Sequence, residues 1–133
     1  MANYEQLNGL ALAYVGDAIY EIYVRDHLVS TGETKPNQLH RRATYYVSAG
    51  AQAMLIQGML TEELLTEEEV GIYKRGRNAK SHTSAKNADI MTYRTATGFE
   101  ALMGYLHLLG RQERLEELIK WCITKVGEQN EEK

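Results

Sequence analysis

The segment LALAYVGDAIYEIYVRDHL, residues 10–28, decides how this chain folds. Its apolar residues recur three and four positions apart, a spacing typical of an amphipathic helix packed against a core. We therefore predict a first long helix that is capped by Asn8 and ends at Val29. Gly16 lies inside this helix, where glycine costs about 1 kcal/mol relative to alanine. We expect another helix, or a ligand, to approach the backbone there.

An acidic residue, Asp17, interrupts the apolar stripe of this helix. A carboxylate among apolar side chains loses hydration, which costs free energy unless a cation or several donors replace the water. Asp17 is thus either a metal ligand or an aspartate that bonds a nearby hydroxyl or backbone group. Helical spacing predicts that the same stripe carries Leu10, Ala13, Tyr14, Glu21 and Val24.

The composition indicates one soluble domain. The chain has 133 residues, of which 44% are apolar and 25% are charged, and this length suffices for one core. We assign residues 1–127 to a single domain and residues 128–133 to a polar, acidic tail. No apolar run approaches the roughly 20 residues of a membrane span, so no membrane partner is expected. The N-terminus lacks the pattern of a secretory signal and Cys122 is the single cysteine, so we expect a cytoplasmic protein.

The fold class is predicted to be all-α. There is one proline, Pro36, and no alternating Val, Ile and Thr pattern between turns. Further helices are expected after Pro36, on both sides of a break near residues 48–50, after a capping box of Thr66 and Glu69, from residue 90 or 93 to 109, and over residues 111–126. The last helix should turn Leu115, Leu118, Ile119, Trp121 and Cys122 toward the core.

The cationic residues are concentrated in one segment, although the net charge of the chain is −3. Residues 70–88 contain no acid, and their cations and imidazole suit contacts with the phosphates of RNA. The alternative is that these cations only stabilise the end of the preceding helix, whose macrodipole favours positive charge. The predicted RNA-binding residues are Lys74, Arg75, Arg77, Lys80, His82 and Lys86.

A second acid, Glu100, is set in an apolar helix, in the segment TGFEALMGYLHLL. Two such carboxylates are better explained together than separately, because facing carboxylates repel each other unless a cation lies between them. We therefore predict that Asp17 and Glu100 are ligands of one divalent cation. His107 lies on the same face as Glu100, and we interpret it as a packed or hydrogen-bonded histidine.

Three segments, taken in order, resemble the ribonuclease III catalytic domain. LAYVGDAIYE (12–21) is similar to the signature LEFLGDAVLE, LHRRATYYVS (39–48) to L-x-x-x-R-A-x-L-V-S, and TGFEALMGYLHL (97–108) to D-x-F-E-A-L-I-G-A-I-Y-L. Together they cover most of residues 10–110. The chain stops soon after them without a double-stranded-RNA-binding domain, so the resemblance is to the Mini-ribonuclease III members of this family.

The resemblance implies an enzyme that hydrolyses phosphodiester bonds of double-stranded RNA with Mg²⁺, for which Mn²⁺ can substitute, and without a nucleotide cofactor. In bacteria the implied substrate is precursor 23S ribosomal RNA, which assigns the protein to ribosomal RNA processing. Asp17 and Glu100 match the family's catalytic metal ligands, whereas Glu21 matches a position that is not a ligand. A metal-activated water needs carboxylates but no side-chain nucleophile.

The resemblance also implies a homodimer in which each protomer cuts one strand. The apolar faces around Gly16 and Gly104 also favour a dimer, because they exceed what one small bundle is expected to bury.

The sequence departs from the family pattern at Ala13 and Thr97, where ribonuclease III carries acids. These departures favour an alternative: a catalytically inactive RNA-binding or ribosome-associated module on the same fold. The presence of both Asp17 and Glu100 argues against it. A third possibility, a helical protein-interaction module, would leave the segregated cations without a role.

Overall fold

The computed structural model describes residues 3–80 and 89–131, and over these ranges the chain is helical without strands. This confirms the all-α prediction. The six α-helices of this part are α1 (Gly9–Ser30), α2 (Pro36–Val47), α3 (Ala49–Thr61), α4 (Glu67–Asn78), α5 (Asp89–Leu108) and α6 (Gln112–Val126). A short 3-10 turn (Tyr4–Gln6) precedes them, and a π-helical turn (Gly127–Glu131) follows them.

The helix ends follow the capping signals in the sequence. The Asn8 side chain accepts a hydrogen bond from the Ala11 amide at 2.8 Å, which fixes the start of α1. Ser48 ends α2 and caps α3, so the predicted break is confirmed. Thr66 and Glu69 form the predicted capping box of α4, with bonds of 3.1 and 2.9 Å.

Helix α5 is the centre of the bundle and packs against α1, α3, α4 and α6. Its middle is buried from Thr95 to Phe99 and again from Ala101 to Leu106. A helix with small and apolar residues on all sides is stable only when neighbours cover every face. The buried side of α6 includes Cys122, as predicted, whereas Trp121 remains partly exposed. No helix in the described ranges has the length and apolar character that a membrane span requires.

The backbones of α1 and α5 touch where they cross. A Cβ atom on Gly16 would lie 1.7 Å from the Glu100 carbonyl oxygen, and one on Gly104 would lie 2.0 Å from the Leu12 carbonyl oxygen. Only glycine therefore fits at these two positions. This confirms that another helix approaches Gly16. It also corrects the argument for a dimer drawn from these glycines, because their faces are covered within one chain.

The buried side of α1 differs from the predicted stripe. Leu10 and Tyr14 are 38% and 83% exposed, and Asp17 is also exposed, although Ala13 and Val24 are buried as expected. The periodicity did not distinguish the two sides, since α1 carries apolar residues on both. Close packing against α5 selected the side with Gly16, because the smallest residue permits the shortest helix separation. The buried set of α1 is Gly9, Leu12, Ala13, Gly16, Tyr20, Val24 and Leu28.

We expect Gly16→Ala to destabilise the protein by about 3 kcal/mol, the upper end of the usual range for overpacking, because its methyl group overlaps a backbone atom of α5. The matched control is Gly71→Ala in α4, where an added Cβ meets nothing within 4 Å and should stabilise by about 0.5–1 kcal/mol. Urea unfolding monitored by circular dichroism measures both. Equal stability of the two variants would contradict the tight crossing.

Candidate active site

Three helices contribute one polar side chain each to a cluster beside the crossing of α1 and α5. Asp17 comes from α1, Glu100 from α5 and Gln52 from α3. The Asp17 and Glu100 carboxyl groups lie within hydrogen-bonding range of each other, and the Gln52 amide lies within hydrogen-bonding reach of Glu100. The structure thus brings the two predicted ligands together. They meet because Gly16, next to Asp17, rests on the backbone of Glu100 itself.

The desolvated acid of this cluster is Glu100. Burial, together with the hydrogen bond and negative charge of Asp17, raises the pKa of Glu100 from 4.5 to about 8, while the hydrogen bond from Gln52 opposes the rise. Asp17 is exposed to solvent, which corrects the prediction that it loses hydration. The reason is again the choice of the packed side of α1, which turns Asp17 toward the rim of the crossing.

Two adjacent carboxyl groups and a side-chain amide fit a hard divalent cation. Without a cation, the pair avoids repulsion by keeping a proton on Glu100 at neutral pH, and a cation can take the place of that proton. The described residues contain no cluster of three or more His, Cys, Asp or Glu side chains suited to a metal. Mg²⁺ does not require one, since it is held by one or two carboxylates together with water and substrate phosphate.

The other acidic positions of the family pattern are occupied by buried, uncharged residues. Ala13 is 6% exposed, and Thr97 is 8% exposed with its hydroxyl donating to the Tyr93 carbonyl at 3.0 Å. Neither adds charge to the cluster. One turn beyond Asp17, Glu21 pairs with Arg25 at 3.0 Å, which agrees with a structural role.

His107 lies two turns along α5 from Glu100, and its Nδ1 is buried without a hydrogen-bond partner in the described part of the chain. It is packed, as predicted, rather than joined to the carboxyl pair by any described contact.

The cations at the end of α4 have different surroundings. Lys74 and Lys80 are exposed. The Arg75 guanidinium donates to the carbonyl oxygens of Glu5 and Leu7 at 2.8 and 2.9 Å, so it holds the N-terminal segment. The Arg77 guanidinium lies over a tyrosine ring, 5.5 Å from its centroid. His82 and Lys86 lie outside the described residues.

The end of α4 is fixed against the same turn of α5 that carries Glu100. A Cβ on Gly76 would lie 2.6 Å from the Ala101 Cβ and 2.9 Å from the Gly98 Cα. Gly76 stands between Arg75 and Arg77 in the chain, and Ala101 follows Glu100. The basic segment, residues 74–86, therefore starts where α4 packs on the turn of α5 that carries Glu100, a proximity that no sequence pattern indicated.

Comparison with known proteins decides the family. The model of the Ribonuclease III domain matches residues 10–111. The chain belongs to the ribonuclease III family. This confirms the resemblance found in the three segments, and with it the predicted enzyme class: a ribonuclease III domain is an endoribonuclease, which hydrolyses phosphodiester bonds.

Within this family, the chain is similar over almost its whole length to proteins of nearly the same length. A Mini-ribonuclease 3 of Enterococcus faecalis is 76% identical over 98% of this chain and 99% of its own. The Mini-ribonuclease 3 of Streptococcus pneumoniae is 61% identical, over 95% of this chain and 98% of its own. A crystal structure of a Fusobacterium nucleatum protein superimposes with a TM-score of 0.77 at 30% identity, covering 90% of this chain and 94% of the other.

The sequence interpretation missed Gln52. Helix α3 carries two glutamines in an apolar segment, Gln52 and Gln57, and nothing in the sequence separates them. Only the packing of α3 on α5 does so, since Gln52 is 2% exposed and Gln57 is exposed.

The raised pKa of Glu100 predicts how the stability of the metal-free protein depends on pH. The folded state holds the Glu100 proton up to about pH 8, whereas the unfolded chain releases it near 4.5. This contribution is complete below pH 4.5 and is lost as pH rises toward 8. In EDTA, the wild type should therefore lose more stability than Glu100→Gln between pH 5 and 8. Parallel pH profiles from thermal melts would contradict the raised pKa.

Proposed function

We propose that this ribonuclease III family member cleaves double-stranded RNA with Mg²⁺, and that precursor 23S ribosomal RNA in the cytoplasm is its substrate. The observation that carries the proposal is the carboxyl pair of Asp17 and Glu100, held beside a close helix crossing. Its position next to the basic end of α4 supports an RNA substrate. The choice of ribosomal RNA and the substitution of Mg²⁺ by Mn²⁺ rest on the resemblance to Mini-ribonuclease III.

In this mechanism Asp17 and Glu100 would hold the cation. Glu100 would give up its proton on binding, and Asp17, which faces solvent, would be accessible to a phosphate of the RNA. Gln52 lies within hydrogen-bonding reach of Glu100. A bound divalent cation supplies an activated water and neutralises the charge that develops on the scissile phosphate. No side chain of the cluster has to act as a nucleophile.

The basic segment supplies affinity that the negative chain as a whole lacks. Lys74, Arg75, Arg77 and Lys80, with His82 and Lys86, are proposed to contact phosphates across the minor groove, a mode that reads the shape of the duplex. The two exposed lysines are free to do so, while Arg75 already holds two backbone carbonyls and contributes mainly by fixing the segment.

A homodimer is also proposed, now from a different surface. The exposed side of α1 carries apolar residues at a spacing of four, and an apolar stripe of this kind is typical of an interface. It runs beside Asp17, so a second copy seated there would bring the two active sites near each other. The stripe consists of Leu10, Tyr14, Ala18 and Ile22.

The decisive test of the active site is Asp17→Asn. The amide keeps the shape of the side chain and removes the charge that holds the cation, so cleavage of a labelled duplex should fall at least about a hundredfold. Circular dichroism should be unchanged, because Asp17 is exposed. Activity near that of the wild type would refute the assignment, and would leave the inactive RNA-binding module as the better interpretation.

The basic segment is tested by replacing Arg77, Lys80 and Lys86 together with alanine. The KM for RNA should rise. Binding to uncleaved duplex in Ca²⁺ should depend less steeply on salt, and the loss of slope should correspond to about two to three phosphate contacts. A control with the same change of charge replaces the exposed Lys35, Arg41 and Lys120. Equal salt slopes for the wild type and for the variant with Arg77, Lys80 and Lys86 replaced would mean that these cations only stabilise the end of α4.

Light scattering at micromolar concentration tests the dimer. The wild type should have twice the chain mass, and Ile22→Lys should shift it toward the monomer, because a charge in an apolar interface is costly to bury. Met54→Lys, at another exposed apolar residue on α3, is the control and should leave the mass unchanged. A monomeric wild type would exclude the two-strand arrangement.

A further inference from the structure

We propose that Gln52 is a positioning residue of the active site: its buried amide orients the Glu100 carboxyl group toward Asp17 and the cation. The inference rests on the proposed function, because it assigns a role toward the same metal. It concerns a residue on α3, a helix that contributes no acid to the site.

The burial of Gln52 requires an explanation. It is 2% exposed, and within the described residues the buried polar or charged side chains are Gln52, Glu69, Thr95 and Thr97. An amide that is buried without partners costs about 1–3 kcal/mol. Among the fully buried side-chain nitrogen and oxygen atoms of the described residues, the one without a hydrogen-bond partner belongs to His107 and not to Gln52. The polar group within reach of the Gln52 amide is the Glu100 carboxyl group.

The backbone of Gln52 is held firmly enough to orient a ligand. Gln52 lies in the first turn of α3, where its amide nitrogen bonds the Ser48 carbonyl at 2.9 Å. The Ser48 hydroxyl caps this turn by accepting from the Ala51 amide at 3.2 Å. After it, Leu55 and Ile56 are buried in the core. The amide thus reaches Glu100 from a capped and well-packed helix.

A neutral amide has the right chemistry for this position. Its N–H occupies one lone pair of the Glu100 carboxyl and leaves others for a cation. A carboxylate in its place would add a third acid next to Asp17 and Glu100, and a lysine would compete with the cation. Partners that hold a ligand from behind typically change metal affinity by about 10- to 100-fold.

The experiment measures Mn²⁺ binding by isothermal titration calorimetry in the absence of RNA. Gln52→Met keeps the side-chain volume and removes both hydrogen-bonding groups, and it should weaken Mn²⁺ binding by about 10- to 100-fold. The matched control, Gln57→Met on the exposed side of α3, should bind Mn²⁺ like the wild type. In cleavage assays the half-saturating Mg²⁺ concentration of Gln52→Met should rise, with an unchanged KM for RNA at saturating metal.

The possible outcomes separate this inference from the proposed function. If the wild type binds Mn²⁺, Asp17→Asn does not, and Gln52→Met binds like the wild type, the role of Gln52 is refuted while the metal site stands. If the wild type binds no Mn²⁺, the proposed function fails, and this inference fails with it. Should Gln52→Met not fold, Gln52→Asn replaces it, since it retains an amide on a side chain that is shorter by one methylene group and should weaken Mn²⁺ binding in the same direction. Failure of both to fold would make Gln52 a packing residue and overturn the proposal.

Discussion

The contact between the backbones of α1 and α5 is the constraint on which the active site depends. At Gly16 and Gly104 a single added carbon would overlap a carbonyl oxygen of the other helix. Helices that pack through larger side chains stay about 8–10 Å apart, and at that distance the carboxyl groups of two crossing helices rarely meet. The glycines thus have a function besides packing: they hold Asp17 and Glu100 within reach of each other.

Bringing two carboxyl groups together has a cost that the protein bears in its metal-free state. Glu100 is partly buried next to Asp17, and its pKa rises to about 8 because neither burial nor a neighbouring acid favours the ionised form. In the proposed function a cation would remove both penalties, since it would compensate charge and replace lost water. The same geometry that destabilises the ionised pair would then favour the binding of a divalent ion. Asp17 remains open to solvent, so the carboxyl pair is accessible from the side of Asp17.

The surrounding helices fix this geometry from two further directions. At its N-terminal end α4 is tied to α6, because Arg114 bonds both Glu69 at 2.7 Å and the Leu64 carbonyl at 2.7 Å. At its C-terminal end Gly76 rests on the turn of α5 next to Glu100. With both ends held, the basic segment starts at a defined distance from the carboxyl pair. Helix α3, which also packs on α5, brings Gln52 to the same glutamate.

The sequence by itself determined the helical class, most helix ends and the two acids. Capping residues such as Asn8 and Thr66 form hydrogen bonds to residues three positions away, so their effect can be predicted from the local sequence. The tertiary structure alone decided which side of α1 is buried, which acid is desolvated and which glutamine of α3 meets the site. These depend on contacts between residues such as Gln52 and Glu100, which are far apart in the chain. A helix that is apolar on both sides, like α1, leaves that choice to the neighbour that packs closest.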